Sequence, residues 1–223
     1  LYLENRNFSK EVFVAIDEYN KLSKQIIVED SVFLEETEDE KVKELITSLR
    51  NKYGLKQNNF GFFYYNINTR EYYFYNENKY FTAASTVKVP VAMHYYDKIN
   101  KGELTLDTTF TYKSGNFEPG GGDVTNKYKV GSSIPLSILL EELVVDSDNT
   151  ANNILISNIG WKGYRKEIAK FSDRELESRF YASNVTCPAY SYDVLKYLYN
   201  HSDEYTTLIE DMKISSFGKY LKE

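Results

Sequence analysis

A serine and a lysine three residues apart are the first residues in this chain whose types and spacing suggest chemistry. Ser85-Thr86-Val87-Lys88 heads Ala84–Asn100, a stretch of small and apolar residues that reads as a helix. Residues at i and i+3 share a helix face, so this hydroxyl and amine come within reach of each other. A serine hydroxyl is a weak nucleophile until a base takes its proton. A lysine becomes that base when burial strips water from its charge and lowers its pKa. The spacing also arises by chance. Ser216-Phe217-Gly218-Lys219 repeats it with a glycine inside the turn and no partner motif after it, and reads as coincidence.

Ser147-Asp148-Asn149 follows downstream, at the junction of two apolar segments of helical pattern, Ile134–Val145 and Thr150–Ile159. A second hydroxyl there can relay a proton to a leaving nitrogen, and an amide can hold a substrate amide. The competing reading is helix N-capping, because Ser, Asp and Asn are all favoured caps. Taken alone, capping wins. Taken in order after Ser85 and Lys88, the chemical reading wins.

Other elements must position these groups. Lys41–Tyr53 has apolar residues at helical spacing and is stopped by Gly54. The acidic run Glu35–Glu40 before it suits a solvated helix start. Asn59–Asn66 and Glu71–Asn76 are aromatic strands flanking a turn, a hairpin signal. Their tyrosine pairs read as cross-strand partners rather than as a platform for bases or sugars. The stretch 102–133 is loop-rich. Gly120-Gly121-Gly122 within it lacks a phosphate-loop frame and reads as a flexible loop. Tyr190–Asn200 and Glu204–Met212 are further helical segments. In residues 1–40, Lys10–Glu18 and Gln25–Glu35 read as strand, turn and strand. The whole pattern, a hairpin and then a long helical block, is α+β rather than βαβ.

Composition narrows the functions. The 223 residues are 42% hydrophobic and 27% charged, which is ordinary for a globular chain. A net charge of −6 with scattered Lys and Arg argues against a nucleic-acid surface. One cysteine, Cys187, forbids an internal disulfide, and two histidines, His94 and His201, leave too few ligands for a histidine-rich metal centre. No cofactor is expected, and the chemistry falls to a hydroxyl, a lysine or a carboxylate. No apolar run reaches the roughly 18 residues that cross a membrane, so no span is expected. The opening LYLENRNF is not a leader, so a signal or anchor is expected to precede these residues.

With these motifs in place, the chain resembles the superfamily of class A β-lactamases and penicillin-binding proteins. The likeness rests on FTAASTVKVPVAM with its Ser-x-x-Lys, on DSDNTANNIL with its Ser-Asp-Asn, and on Thr186-Cys187-Pro188-Ala189, which is similar to the Thr-x-Pro-Ala that opens the helix after the family's Ω loop. It covers residues 41–223, with 1–40 as an N-terminal extension. It implies an antiparallel sheet packed against helices beside an all-helical lobe. It implies Ser85 as acylating nucleophile, Lys88 as its base or relay, Ser147 as proton donor to the leaving nitrogen and Asn149 as holder of the substrate amide. The Ser85 N–H would form half of an oxyanion hole. The implied substrates are β-lactams or peptidoglycan stem peptides of D-Ala-D-Ala type, met outside the cytoplasmic membrane. The alternative within the same fold is a non-catalytic or slowly acylated sensor of cell-wall fragments. A helical interaction protein whose motifs are only caps is a third reading.

The resemblance departs at two places. Between Gly160 and Pro188 the chain is about a dozen residues shorter than the family pattern implies. Glu175 and Glu177 there match no motif and read as a solvated helix end. The Lys-Thr/Ser-Gly strand of the family should follow Ser-Asp-Asn. Lys113-Ser114-Gly115 precedes it and reads as a decoy. The domain is therefore expected to be C-terminally incomplete, with its closing strands missing. Residues 10–35, or strand exchange with a second copy, are expected to complete the sheet, because an open apolar edge invites pairing.

Overall fold

The computed structural model describes residues 40–56 and 58–215. The strand–turn–strand expected within residues 10–35 and the Ser216–Lys219 repeat lie outside the described residues. The chain divides into two units, Leu1–Thr82 with Val185–Tyr192, and Ala83–Asn184 with Asp193–Glu223.

In the first unit, α1 (Glu40–Tyr53) has Glu40 in its first turn and Arg50 and Lys52 in its last, which complements the helix dipole. Gly54, with φ of 63°, ends it, and the Leu55 N–H returns to the Arg50 carbonyl at 2.9 Å, closing a Schellman cap. Strands β1 (Phe62–Tyr65) and β2 (Tyr72–Tyr75) pair antiparallel with Phe62 opposite Tyr75 and Tyr65 opposite Tyr72. The Asn66 side chain shapes their turn by accepting the Asn68 and Thr69 N–H groups at 3.0 and 3.2 Å. Alternation divides the aromatics between two faces. Phe62, Tyr73 and Tyr75, with Leu45 of α1, pack on Ile46 of the same helix. Phe63 stacks on Tyr192, with ring centroids 4.1 Å apart. Tyr64 and Tyr73 are direct cross-strand partners with stacked rings, as expected of the hairpin. Strand β3 (Phe81–Thr82) pairs antiparallel with Val185–Thr186.

The second unit is built around α2 (Lys88–Asn100). A 3-10 turn, Ala84–Val87, precedes it where continuous helix was expected. Pro90 has no N–H to give Thr86, so the α ladder begins only at Lys88. Val91, Ala92, Met93, Tyr95 and Tyr96 of α2 are buried. Strand β4 (Thr109–Thr111), a 3-10 turn at Ser114–Asn116 and helix α3 (Val124–Lys127) interrupt the stretch expected to be loop. Each is too short to show a period. Strand β5 (Ser133–Pro135) pairs antiparallel with β4 and leads into α4 (Leu136–Val144), then α5 (Asn149–Ile159).

Helices α4, α5 and α6 (Tyr164–Ala169) pack on α2. Leu139, Leu140, Leu143, Ile154 and Leu155 are buried there. Each such side chain contributes about 1.5–3 kcal/mol through burial. Tyr95 donates from its hydroxyl to the Leu155 carbonyl at 2.8 Å, tying α2 to α5. Next come α7 (Ser178–Ala182) and α8 (Pro188–Asn200), whose residues from Asp193 onward belong to this unit, and then α9 (Thr206–Ile214). Pro188 heads α8, where a missing N–H costs nothing. The described residues thus form an α+β fold, mostly helical with small antiparallel ladders. Among them no helix is long and apolar enough to cross a membrane.

Candidate active site

The site is assembled within the second unit from two chain reversals that each contain a residue in the left-handed region. Ala84 has φ of 46° and Ser147 has φ of 55°. Non-glycine residues pay for that conformation, and such outliers concentrate at functional sites. The 3-10 turn that begins at Ala84 is held by Thr86, whose hydroxyl donates to the Ala83 carbonyl at 2.7 Å. It leaves Ser85 exposed at the head of α2 while Lys88 turns inward, 5% exposed.

Ser85, Lys88, Ser147 and Asn149 come together in space. Lys88 Nζ donates to Ser147 Oγ at 2.9 Å, to Asn149 Oδ1 at 2.8 Å and to the Ser147 carbonyl at 2.5 Å. An ammonium has three donors, and all three are used. Ser147 Oγ in turn donates to Ser85 Oγ at 3.1 Å. The hydroxyls and the amine therefore form a chain, Ser85–Ser147–Lys88, in which Ser147 stands between the Ser85 hydroxyl and the Lys88 amine. Burial lowers the Lys88 pKa to about 8, against the charges of Asp148 and Glu118, which pull it back up.

Asp148, between the two reaching residues, does structural work. Its Oδ1 accepts the Ala151 N–H at 2.7 Å, capping α5, and its Oδ2 accepts the Val124 N–H at 3.0 Å. Burial raises its pKa against those hydrogen bonds. Asp148 is thus the cap of α5, while Ser147 and Asn149 on either side of it accept from Lys88.

The triple glycine departs from the expectation of a free loop. A Cβ on Gly121 would stand 2.3 Å from the Ser147 carbonyl oxygen, and one on Gly122 would stand 2.2 Å from Asp148 Oδ2. Both have positive φ, at 68° and 61°. The backbone of this loop is the surface against which the Ser147 turn rests, and only glycine fits there. Just before it, Thr150 clasps Glu118: its hydroxyl accepts the Glu118 N–H and donates to the Glu118 carbonyl, both at 3.1 Å. Asn153 Nδ2 reaches Glu118 Oε2 at 2.8 Å, and Asn149 Nδ2 reaches the Pro119 carbonyl at 3.2 Å. Glu118, Thr150 and the glycines were not singled out as site residues from sequence. The glycine run was the one visible signal, and its backbone contacts leave no trace in residue type.

Lys113-Ser114-Gly115 lies exposed at a 3-10 turn rather than on a strand. Glu175 and Glu177 are exposed on either side of buried Leu176, and Glu177 pairs with Arg179 at 2.8 Å. Among the described residues no group of three or more His, Cys, Asp or Glu gathers to hold a metal.

Comparison with known proteins agrees with this architecture. A search of curated protein sequences finds no match. Among solved structures, the chain is similar to a beta-lactamase from Sphaerobacter thermophilus, with TM-score 0.55 and 22% identity over 69% of this chain and 64% of that one. It thus spans less than two thirds of that enzyme's length. It is similar to PBP-A, with TM-score 0.65 and 17% identity over 79% of this chain and 71% of that one. A PBP-A mutant solved as an acyl-enzyme complex with penicillin G gives 0.66 and 19% identity over 83% of this chain and 73% of that one. These likenesses are of fold. The sequence profile described as the beta-lactamase enzyme family matches residues 39–214, and the chain belongs to that family.

Proposed function

We propose that the protein is a serine acyl-transfer hydrolase that forms an acyl-enzyme at Ser85 with β-lactams or with D-Ala-D-Ala-type cell-wall peptides. The observation that carries the reading is the hydroxyl chain, with Ser147 Oγ 3.1 Å from Ser85 Oγ and 2.9 Å from Lys88 Nζ. The penicillin G acyl-enzyme of PBP-A, a relative in fold, supports the substrate class.

In the proposed reaction Lys88 first loses a proton to become a base. With a pKa of about 8, roughly a tenth of it is neutral at pH 7. Ser85 Oγ attacks the substrate carbonyl carbon as its proton passes to Ser147 Oγ, and the Ser147 proton passes to Lys88. The Ser85 N–H stabilises the oxyanion. When the C–N bond breaks, Lys88 returns the proton through Ser147 to the leaving nitrogen. Asn149 orients the substrate amide while its Oδ1 holds Lys88. Such substrates are met outside the cytoplasmic membrane, and recovery of the native protein in the cytosol alone would count against that location.

A second reading is a penicillin-binding sensor that acylates and releases slowly. It is favoured by Glu177 being turned to Arg179, while the carboxylates acting on Lys88 are Asp148 and Glu118. A fluorescent penicillin tests the main proposal. Covalent labelling of the full native protein that vanishes in Ser85→Ala is expected, and a native protein that takes no label overturns it.

A further inference from the structure

We propose that Glu118 is the carboxylate base for hydrolysis of the Ser85 acyl-enzyme, supplied by the loop before Ser147-Asp148-Asn149 rather than by the segment between Gly160 and Pro188. The inference rests on the acyl-enzyme reading above.

The placement comes from helix α5. Asn149 and Asn153 are four residues apart, so their side chains lie on one face, about 5–6 Å from each other. Asn149 Oδ1 takes the Lys88 amine at 2.8 Å, and Asn153 Nδ2 takes the Glu118 carboxylate at 2.8 Å. Amine and carboxylate therefore sit over the same helix face one turn apart. The backbone that carries Glu118 is fixed to the same helix, because Thr150 clasps the Glu118 backbone and Asn149 Nδ2 holds the Pro119 carbonyl. The Glu118 charge is felt at Lys88. Glu118 and Ser85 are both exposed, so water reaches each.

The neighbouring carboxylates are committed elsewhere. Both Asp148 oxygens accept backbone N–H groups inside the fold. Buried Glu142 accepts the Asp123 N–H and pairs with Lys127 at 2.8 Å. Glu118 Oε2 accepts from the Asn153 amide, which orients the group without neutralising it.

The step balances with water alone. Glu118 takes a proton from water as the water oxygen bonds to the acyl carbon of the Ser85 ester. The oxyanion collapses, the C–Oγ bond breaks, and the proton that Glu118 took from water passes to Ser85 Oγ, which leaves Glu118 ionised again. The water is divided between the serine hydroxyl and the released carboxylic acid.

Glu118→Gln tests this, since its amide oxygen still accepts from Asn153 while the charge is gone. Penicillin G is added to the full native protein and to the variant, and intact-mass spectrometry follows formation and decay of the Ser85 adduct separately. The expected result is formation no slower than in the native protein, because losing the Glu118 charge lets the Lys88 pKa fall further, with decay slowed about 10²–10⁴-fold in the variant, the range for one general base. Equal decay in the two proteins, including equal persistence, overturns the role of Glu118 and leaves the acyl-enzyme standing. Lost formation in the variant alone also overturns it, by assigning Glu118 to acylation or to folding. No adduct in either protein overturns the acyl-enzyme reading itself.

Discussion

Lys88 Nζ lies 2.9 Å from Ser147 Oγ, and it is Ser147, not Lys88, whose hydroxyl reaches Ser85, at 3.1 Å. Ser85 and Lys88 belong to one motif, yet their link runs through a residue 59 positions after the lysine. A Ser-x-x-Lys pair in isolation would lack that bridge.

In the proposed reaction the hydroxyl chain makes acylation depend on both pH and Ser147. The Lys88 pKa is lowered by burial to about 8, so the base form grows as pH rises through 8. The acylation rate at Ser85 is expected to climb from pH 6 to a plateau above about 9. Ser147→Ala should lower the rate about 10²–10⁴-fold. Stopped-flow acylation with a chromogenic cephalosporin measures both. A flat pH profile, or an unimpaired Ser147→Ala, would remove Lys88 or Ser147 from the path.

Gly121 should tolerate no side chain. In Gly121→Ala the new Cβ meets the Ser147 carbonyl at a position of φ 68°, so either the turn moves or the variant strains. A loss of about 1–3 kcal/mol is expected, together with slower acylation. Gly115→Ala is the control: open space surrounds it, and its effect should stay within about 0.5 kcal/mol. Thermal melts of both variants check this. Equal melting of the two would show that the loop is not a support.

His94 on α2 predicts sensitivity to acid. It is buried, neither ring nitrogen has a hydrogen-bond partner among the described residues, and Glu167 approaches Nδ1 only to 3.6 Å. Burial first, then Lys170 and Lys98, lower its pKa from 6.5 to about 4, with Glu167 and Asp97 opposing. The unfolded chain therefore binds the proton first. Stability contributed by neutral His94 is complete above about pH 6.5 and is lost as pH falls toward 4, by about 3 kcal/mol in all. Urea melts from pH 7 to 4 should show that decline, and His94→Leu should flatten it. A variant that declines as steeply as the native protein would place the acid sensitivity elsewhere.

Much of this was legible in residue order. The aromatic hairpin, α1 with its Gly54 stop and the helices around Ser85 and Asn149 follow from periodicity and end signals, which are local properties. The types Ser, Lys, Ser and Asn, in that order, were enough to single out four side chains that the fold brings together. The short pieces between Gly102 and Ser133 were not legible, because three or four residues make less than one period.

The deeper gap concerns how the named groups meet. Residue type specified a hydroxyl, an amine and an amide that can do acyl-transfer chemistry, since functional groups travel with the sequence. That Ser147 bridges Ser85 to Lys88, that Asp148 caps α5 while its neighbours face the lysine, and that Glu118 and the glycines line the same turn were decided by packing. Those contacts depend on a left-handed backbone at Ser147, on the absence of a Cβ at Gly121 and on one shared face of α5. None of these is a property of any single segment, and they exist only once the elements are folded against each other.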